Sequence, residues 1–172
     1  SNGVDIIWAI DGSGSMSEEY PKVLQGISDM LANLPLISWR LMIISTTPHE
    51  AVDIEGLPLI PGDSYQDAVD MFVQNVQGTH ENGFLSVQKF ITENADAQQW
   101  LRSDATLLIV FVSDEDDASD PQIPTPLYFE NFLRGYRQNV FVSSIINIDP
   151  IESACSVYTH WIGFRYIELT NA

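Results

Sequence analysis

Oxygen-bearing side chains alternate with glycine in segment 11–15, whose sequence is Asp-Gly-Ser-Gly-Ser. In an extended loop alternate side chains point the same way, so Asp11, Ser13 and Ser15 can converge on one point. The two glycines let the backbone curl around that point without side-chain clashes. All three converging groups supply oxygen, the ligand type that Mg²⁺, Mn²⁺ and Ca²⁺ prefer. The segment therefore predicts part of a divalent-cation site, which needs further ligands from elsewhere.

A second polar segment, 113–117, has the sequence Ser-Asp-Glu-Asp-Asp. The two segments follow the apolar runs Val4–Ile10 and Thr106–Val112, which predict buried strands. Ligands of parallel sheets sit at the carboxyl ends of strands, where the strand order reverses. We therefore expect both segments at one edge of a sheet. The additional acids of segment 113–117 have three interpretations: they form a solvated acidic turn, they add to the site, or they bind a second cation.

Predicted strands and helices alternate along the rest of the chain, which favours right-handed crossovers between parallel strands. The strands are predicted at Val4–Ile10, Trp39–Ile44, Ala51–Ile54, Thr106–Ser113, Val140–Ile146 and Gly163–Leu169. The helices are predicted at Ser17–Leu34, Ser64–Val76, about 81–92 and about 127–138, and Thr170–Ala172 predicts the beginning of a helix that the chain does not continue. The order predicts an α/β fold with a doubly wound, mostly parallel sheet and helices on both faces. Residues 3–172 are predicted to form one domain.

Three loops together resemble a known family. Segment 11–15 matches the Asp-x-Ser-x-Ser motif of the metal-ion-dependent adhesion site (MIDAS) in von Willebrand factor A (vWA) and integrin inserted domains. That family also has a threonine in a Gly-Thr turn between two central helices, where this chain has Gly78-Thr79. It has an aspartate after the fourth strand, where this chain has Ser113-Asp114. The resemblance covers essentially the whole chain, because the loops, strands and helices agree in order.

The resemblance implies a Rossmann-like vWA fold that binds one divalent cation, Mg²⁺ before Ca²⁺ or Mn²⁺. The implied metal ligands are Asp11, Ser13, Ser15, Thr79 and Asp114. In the family a carboxylate of a protein partner completes the coordination, so the implied function is metal-dependent cell adhesion through protein–protein interaction. His80 and Glu115 flank these residues and are expected to contact the partner. The last helix of the family, which often shifts to report ligand binding, is expected to be almost absent.

The cellular setting has alternatives. The same fold serves as an intracellular scaffold beside an ATPase or in a metal chelatase, and as a surface module of a virion or secretion apparatus. Segment Gly163–Leu169, shortly after Cys155, resembles bacterial surface and secreted members of the family. That favours an extracellular or cell-surface module of a larger multidomain protein. Cys155 is the only cysteine, so it is either a buried apolar residue or pairs with a cysteine elsewhere.

Enzyme sites find little support in the sequence. A haloacid dehalogenase-like phosphatase needs a second aspartate where this chain has Ser13, and a dinucleotide-binding loop needs a glycine where it has Ser17. The three histidines His49, His80 and His160 lack the spacing of a catalytic triad or a metal-binding pair. We therefore expect a binding protein and not an enzyme.

The charge balance narrows the class of partner. The 172 residues include 24 acidic and 7 basic ones, which gives a formal net charge of −17. Nucleic acid and anionic membranes need a basic face, so neither is expected to bind, and no apolar run is long enough for membrane insertion. Cations and basic surfaces are better candidates. The bulk of the acidity also has a simpler interpretation, since charge keeps a domain soluble.

Overall fold

The computed structural model describes residues 3–34, 38–146 and 162–172. In these ranges the strands are β1 (Val4–Ile10), β2 (Trp39–Ser45), β3 (Thr106–Ser113) and β4 (Val140–Ile146). The helices are α1 (Tyr20–Asn33), α2 (Pro48–Asp53), α3 (Tyr65–Asn75), α4 (Gly83–Glu93), α5 (Ala97–Trp100), α6 (Pro126–Tyr136) and α7 (Phe164–Thr170). A 3-10 helix at Gly14–Glu18 precedes α1. Cys155 and His160, which figured in the sequence analysis, lie outside the described residues.

The sheet is parallel, with the order β2-β1-β3-β4. The chain moves from β1 to β2 on one side and returns to place β3 on the other, so the strand order reverses between β1 and β3. β1 is buried along nearly its whole length, as expected for a central strand covered on both faces. The predicted α/β fold with a parallel sheet is confirmed.

Two apolar clusters lie on opposite faces of the sheet. Alternate side chains of β1 divide between them, with Ile7 and Ala9 in one cluster and Ile6 and Trp8 in the other. Residues of α2, α4, α6 and α7 belong to the first cluster, and residues of α1 and α3 belong to the second. The helices therefore cover both faces, as the sequence predicted. Within the described ranges no helix is both long and apolar enough to cross a bilayer.

One predicted strand, Ala51–Ile54, is wrong because its residues belong to helix α2 and its C-terminal end. Pro48 lies in the first turn of this helix, where a missing amide hydrogen costs nothing. The carbonyls of Val52 and Ile54 accept hydrogen bonds from Asn94 Nδ2 at 2.8 and 2.7 Å. The donor that satisfies the carbonyl groups at the end of α2 thus comes from a distant part of the chain.

The last predicted strand, Gly163–Leu169, is also wrong, since helix α7 occupies Phe164–Thr170. Its aromatic and β-branched content favours a strand by local propensity. In the structure Tyr166 and Leu169 are buried in the first cluster, three residues apart, which is the spacing of one helix face. The helix that was predicted to begin at Thr170 therefore begins at Phe164 instead.

Candidate metal centre

The ends of β1 and β3 bring the two acidic segments together. These neighbouring strands pair in register as far as Ile10 and Val112. The amide of Asp11 donates to the carbonyl of Val112 at 2.9 Å, so the pairing extends one residue further. Asp11 and Asp114 therefore leave the sheet at the same edge, at the point where the strand order reverses.

Four of the five predicted ligands form one hydrogen-bonded set. Asp11 is fully buried, and its Oδ1 accepts from the amide of Ser13 at 2.8 Å. The hydroxyl oxygens of Ser13 and Ser15 lie 2.8 Å apart. Ser15 Oγ in turn donates to Asp114 Oδ1 at 3.2 Å. Two carboxylates and two hydroxyls from distant parts of the chain thus face one another at the sheet edge.

The loop that carries Thr79 packs against the first loop. A Cβ on Gly12 would lie 3.0 Å from the carbonyl oxygen of Gln77, so glycine permits this close approach without a tight contact. Thr46 Oγ1 donates to the carbonyl of His80 at 2.8 Å, and the amide of His80 donates to Thr47 Oγ1 at 3.1 Å. The two residues that follow β2 therefore hold this loop beside the site, with the Thr79 side chain exposed.

Like charges concentrate at this edge of the sheet. Burial and then the nearby Asp11 carboxylate raise the pKa of Asp114, and the same two causes raise the pKa of Glu81. Burial first, and Glu81 next, raise the pKa of Glu115. Burial, Asp11 and Asp114 raise the pKa of the Tyr20 hydroxyl to about 12. Each group would ionise more easily beside a cation, which would offset this mutual repulsion.

The donor set fits a hard divalent cation. Asp11 and Asp114 supply carboxylate oxygens and Ser13 and Ser15 supply hydroxyl oxygens, all suited to Mg²⁺, Mn²⁺ or Ca²⁺. In the described part of the chain no group of three or more His, Cys, Asp and Glu side chains is placed to hold a metal. A cation here would therefore depend on the serine hydroxyls as well as on the two aspartates.

Two further residues support the site and escaped the sequence analysis. Ser113 Oγ donates to the second oxygen of Asp11 at 2.8 Å, so both oxygens of that buried carboxylate are engaged. Tyr20 OH donates to the carbonyls of Asp11 and Ser13, each at 3.2 Å. The sequence did contain a signal for Ser113, because its hydroxyl directly precedes the predicted ligand Asp114. Tyr20 has the sequence context of an apolar helix face, so its contact with the loop had no local signal.

The two predicted partner contacts, His80 and Glu115, lie at the same rim. His80 is exposed, and its ring centroid lies 6.4 Å from that of His49, so the structure pairs two imidazoles that are distant in sequence. Glu115 is half-buried, and its amide donates to Ser113 Oγ at 3.1 Å. Their spacing in the sequence gave no indication of the histidine pair.

The interpretation of segment 113–117 as a solvated acidic turn is wrong for Asp117. The exposed fraction of its side chain is 0%, and its Oδ2 lies 3.0 Å from Arg165 Nε. Its Oδ1 accepts from the amide of Phe84 at 2.9 Å. Because the Arg165 guanidinium already neutralises this buried carboxylate, Asp117 also does not suit a second cation.

The fold of this chain is similar to that of solved structures of proximal thread matrix protein 1 from the mussel byssus. One matches with a TM-score of 0.52 and 10% identity and covers 85% of this chain and 36% of that chain. Another, with a zinc-occupied MIDAS motif, matches with a TM-score of 0.54 and 11% identity and covers 99% of this chain and 44% of that chain. The fold is that of a vWA domain.

At such low identities the likeness establishes the vWA fold alone. Compared with models of protein families and with curated protein sequences, the chain matches none. The vWA fold of this chain spans less than half the length of the two mussel chains, 36% and 44%. The bacterial origin inferred from segment Gly163–Leu169 stays a prediction.

Proposed function

We propose that this vWA domain is an adhesion module that binds a carboxylate of a protein partner through one divalent cation. The cation is held by Asp11, Ser13, Ser15, Thr79 and Asp114. The observation that carries the proposal is the hydrogen-bonded set that joins Ser13 and Ser15 to Asp114 at the reversal point of the sheet. The zinc-occupied MIDAS motif of the mussel protein, which shares the fold, supports a divalent cation in this position.

The charge and exposure of the ligands suit a site that is open to an outside anion. Two carboxylates balance a dication only formally, and the serine hydroxyls add no charge, so the ion stays attractive to a further anion. Asp11 is buried, whereas Ser15 and Thr79 are exposed. The partner's carboxylate therefore approaches from the side of Ser15 and Thr79, where His80 and Glu115 border the approach. We propose binding and not catalysis as the role of this site.

The net charge of the chain restricts recognition to short range. A protein with a formal charge of −17 repels an acidic partner at a distance, although salt screens that repulsion beyond about 8 Å. Attraction therefore depends on the cation itself. We place the module outside the cell or at the cell surface, as part of a larger protein, in keeping with the byssus origin of the mussel structures.

Titration calorimetry with Mg²⁺, Mn²⁺, Ca²⁺ and Zn²⁺ tests the cation site. The unmodified chain is expected to bind one ion, and Asp114→Asn is expected to weaken binding by at least about tenfold. The matched control is Asp29→Asn, since Asp29 is an exposed carboxylate of α1 that accepts a hydrogen bond from Gln25. The proposal fails if the chain binds none of these ions, or if the two variants bind equally well.

Water relaxation with bound Mn²⁺ tests the open coordination position. Glutarate, a simple carboxylate probe, is expected to displace a coordinated water and lower the relaxation rate of bulk water. The same addition to Asp114→Asn at equal total Mn²⁺ should have a smaller effect. An unchanged relaxation rate with the cation bound would mean that the ion is closed to outside carboxylates.

A further inference from the structure

A buried ion pair joins helix α7 to the loop that follows β3. Arg165 Nε lies 3.0 Å from Asp117 Oδ2, and the exposed fractions of the two side chains are 18% and 0%. The amide of Arg165 also donates to Asp116 Oδ1 at 2.9 Å. The guanidinium further donates to the carbonyls of Ile123 and Pro124. Arg165 therefore contacts the Asp114 loop at several points just beyond the proposed ligand.

Asp117 and its neighbours tie this loop to the segment that leads from Thr79 into α4. Asp117 Oδ1 accepts from the amide of Phe84 at 2.9 Å and from Ser119 Oγ at 2.7 Å. The amide of Ala118 donates to the carbonyl of Glu81 at 2.7 Å. Asn82 Nδ2 donates back to the carbonyl of Ala118 at 3.1 Å. Two of the three loops of the proposed site are thus connected through residues 117–119.

The charge of Arg165 matters because Asp117 is out of water. Burial raises the pKa of Asp117, while hydrogen bonds from Phe84 and Ser119 and the charge of Arg165 act against that rise. A buried carboxylate that loses its cationic partner must take up a proton or regain solvent. Either change disturbs the hydrogen bond that Asp117 accepts from Phe84, which lies on the Thr79 side of the site.

We infer that Arg165 and Asp117 are positioning residues, which hold the Asp114 loop and the Thr79 loop at the separation that the cation requires. The inference rests on the proposed function, since it assigns these residues to that site. Neither residue is proposed to touch the cation. Outer residues that orient metal ligands typically change metal affinity by about 10–100-fold when they are replaced.

The chain contains a matched control at the other end of the sheet. Arg102 and Asp5 form an ion pair of 2.7 Å whose side chains are 17% and 1% exposed, close to the values of the Arg165 pair. Arg102 also donates its backbone amide to Asp5 Oδ2 at 2.7 Å, as Arg165 donates its own amide to Asp116. Asp5 lies near the start of β1, far from the carboxyl ends of the strands.

The test compares Arg165→Met with Arg102→Met. Both variants are expected to lower the thermal midpoint, but only Arg165→Met is expected to weaken Mn²⁺ binding by at least about tenfold. Hydrogen exchange without metal supplies a second readout. Arg165→Met should accelerate exchange in residues 78–83 as well as in 114–119, whereas Arg102→Met should leave both segments unchanged. Arg165→Lys keeps the charge and is expected to restore part of the affinity.

Each outcome decides the inference. Equal loss of Mn²⁺ affinity in both methionine variants would mean that Arg165 contributes only to overall stability. No loss of affinity in either variant would mean that Arg165 does not position the cation site. If a methionine variant does not fold, Arg165→Lys against Arg102→Lys carries the same comparison. If the unmodified chain binds no cation, the proposed function fails. The exchange of residues 78–83 then still shows whether Arg165 holds the two loops together.

Discussion

At the scale of single residues, Gly78 shows how little freedom the Thr79 turn has. Its φ is +91°, in the region that side chains with a Cβ rarely adopt. A Cβ at this position would also lie 2.3 Å from Thr47 Oγ1 and 2.7 Å from Thr47 Cβ. Backbone conformation and available space therefore both require glycine immediately before the proposed ligand Thr79.

Gly78→Ala is predicted to lower the free energy of unfolding by about 1–3 kcal/mol, because it forces a left-handed backbone and a clash with Thr47. Urea unfolding measures the change. Gly26→Ala in α1 is the control, since a Cβ there meets no atom within 4 Å. Alanine is the better helix former, so this variant should be more stable by up to about 1 kcal/mol. Equal stability of Gly78→Ala and the unmodified chain would contradict the prediction.

At the scale of elements, the sequence predicted the strands of the sheet best. β1 and β3 are short apolar runs buried on both faces, and that pattern is local. The two segments that were wrongly predicted as strands, Ala51–Ile54 and Gly163–Leu169, also contain β-branched or aromatic residues, but tertiary partners stabilise them as helices. Asn94 completes the end of α2, and Arg165 anchors the start of α7.

The candidate site likewise contains residues that the sequence predicted and residues that it did not predict. Asp11, Ser13, Ser15 and Asp114 were predictable because motif spacing and strand ends together fix where they lie. The contacts of Tyr20, Arg165 and the His49–His80 pair depend on how helices and loops pack, which no spacing in the sequence encodes.

Asn94→Ala is predicted to destabilise the chain by about 2–3 kcal/mol, because it leaves buried carbonyls without donors. Asn94 is 1% exposed, and besides its bonds to Val52 and Ile54 it accepts from the amide of Ala97 at 2.7 Å. Asn33→Ala, which removes an exposed bond to the carbonyl of Asp29, should change stability by less than about 0.5 kcal/mol. Denaturant unfolding of both variants measures the change. Similar losses of unfolding free energy in the two variants would contradict the prediction that the buried hydrogen bonds of Asn94 stabilise the chain.

At the scale of the whole molecule, the formal charge of −17 adds to the repulsion within the site. The acids with raised pKa values lie in the loops at the carboxyl edge of the sheet: Glu81, Asp114, Glu115, Asp116 and Asp117. Burial is the largest cause for each. The pKa of Asp67 is lowered by hydrogen bonds from Ser64, but this side chain is fully exposed, so it contributes little to the pH dependence of stability.

These raised pKa values set the direction of the pH dependence without metal. From the ordinary carboxyl range up to the raised pKa values, the folded chain holds more protons than the unfolded chain. The free energy of unfolding therefore falls as pH rises through that window. In EDTA, the thermal midpoint is predicted to be higher at about pH 5 than at about pH 7.5.

A bound cation should reverse the contribution of the site to the pH dependence of stability, because the cation favours ionised Asp114 and competes with the proton. With saturating Mg²⁺ at about pH 7.5 the midpoint should rise, and the gain should shrink towards about pH 5 as protons displace the ion. Asp114→Asn should lose most of the Mg²⁺ gain and also show a weaker pH dependence in EDTA, whereas Asp29→Asn should retain both. A Mg²⁺ gain that grew on acidification would mean that the cation binds away from these acids, because protonation opposes binding at a carboxylate site.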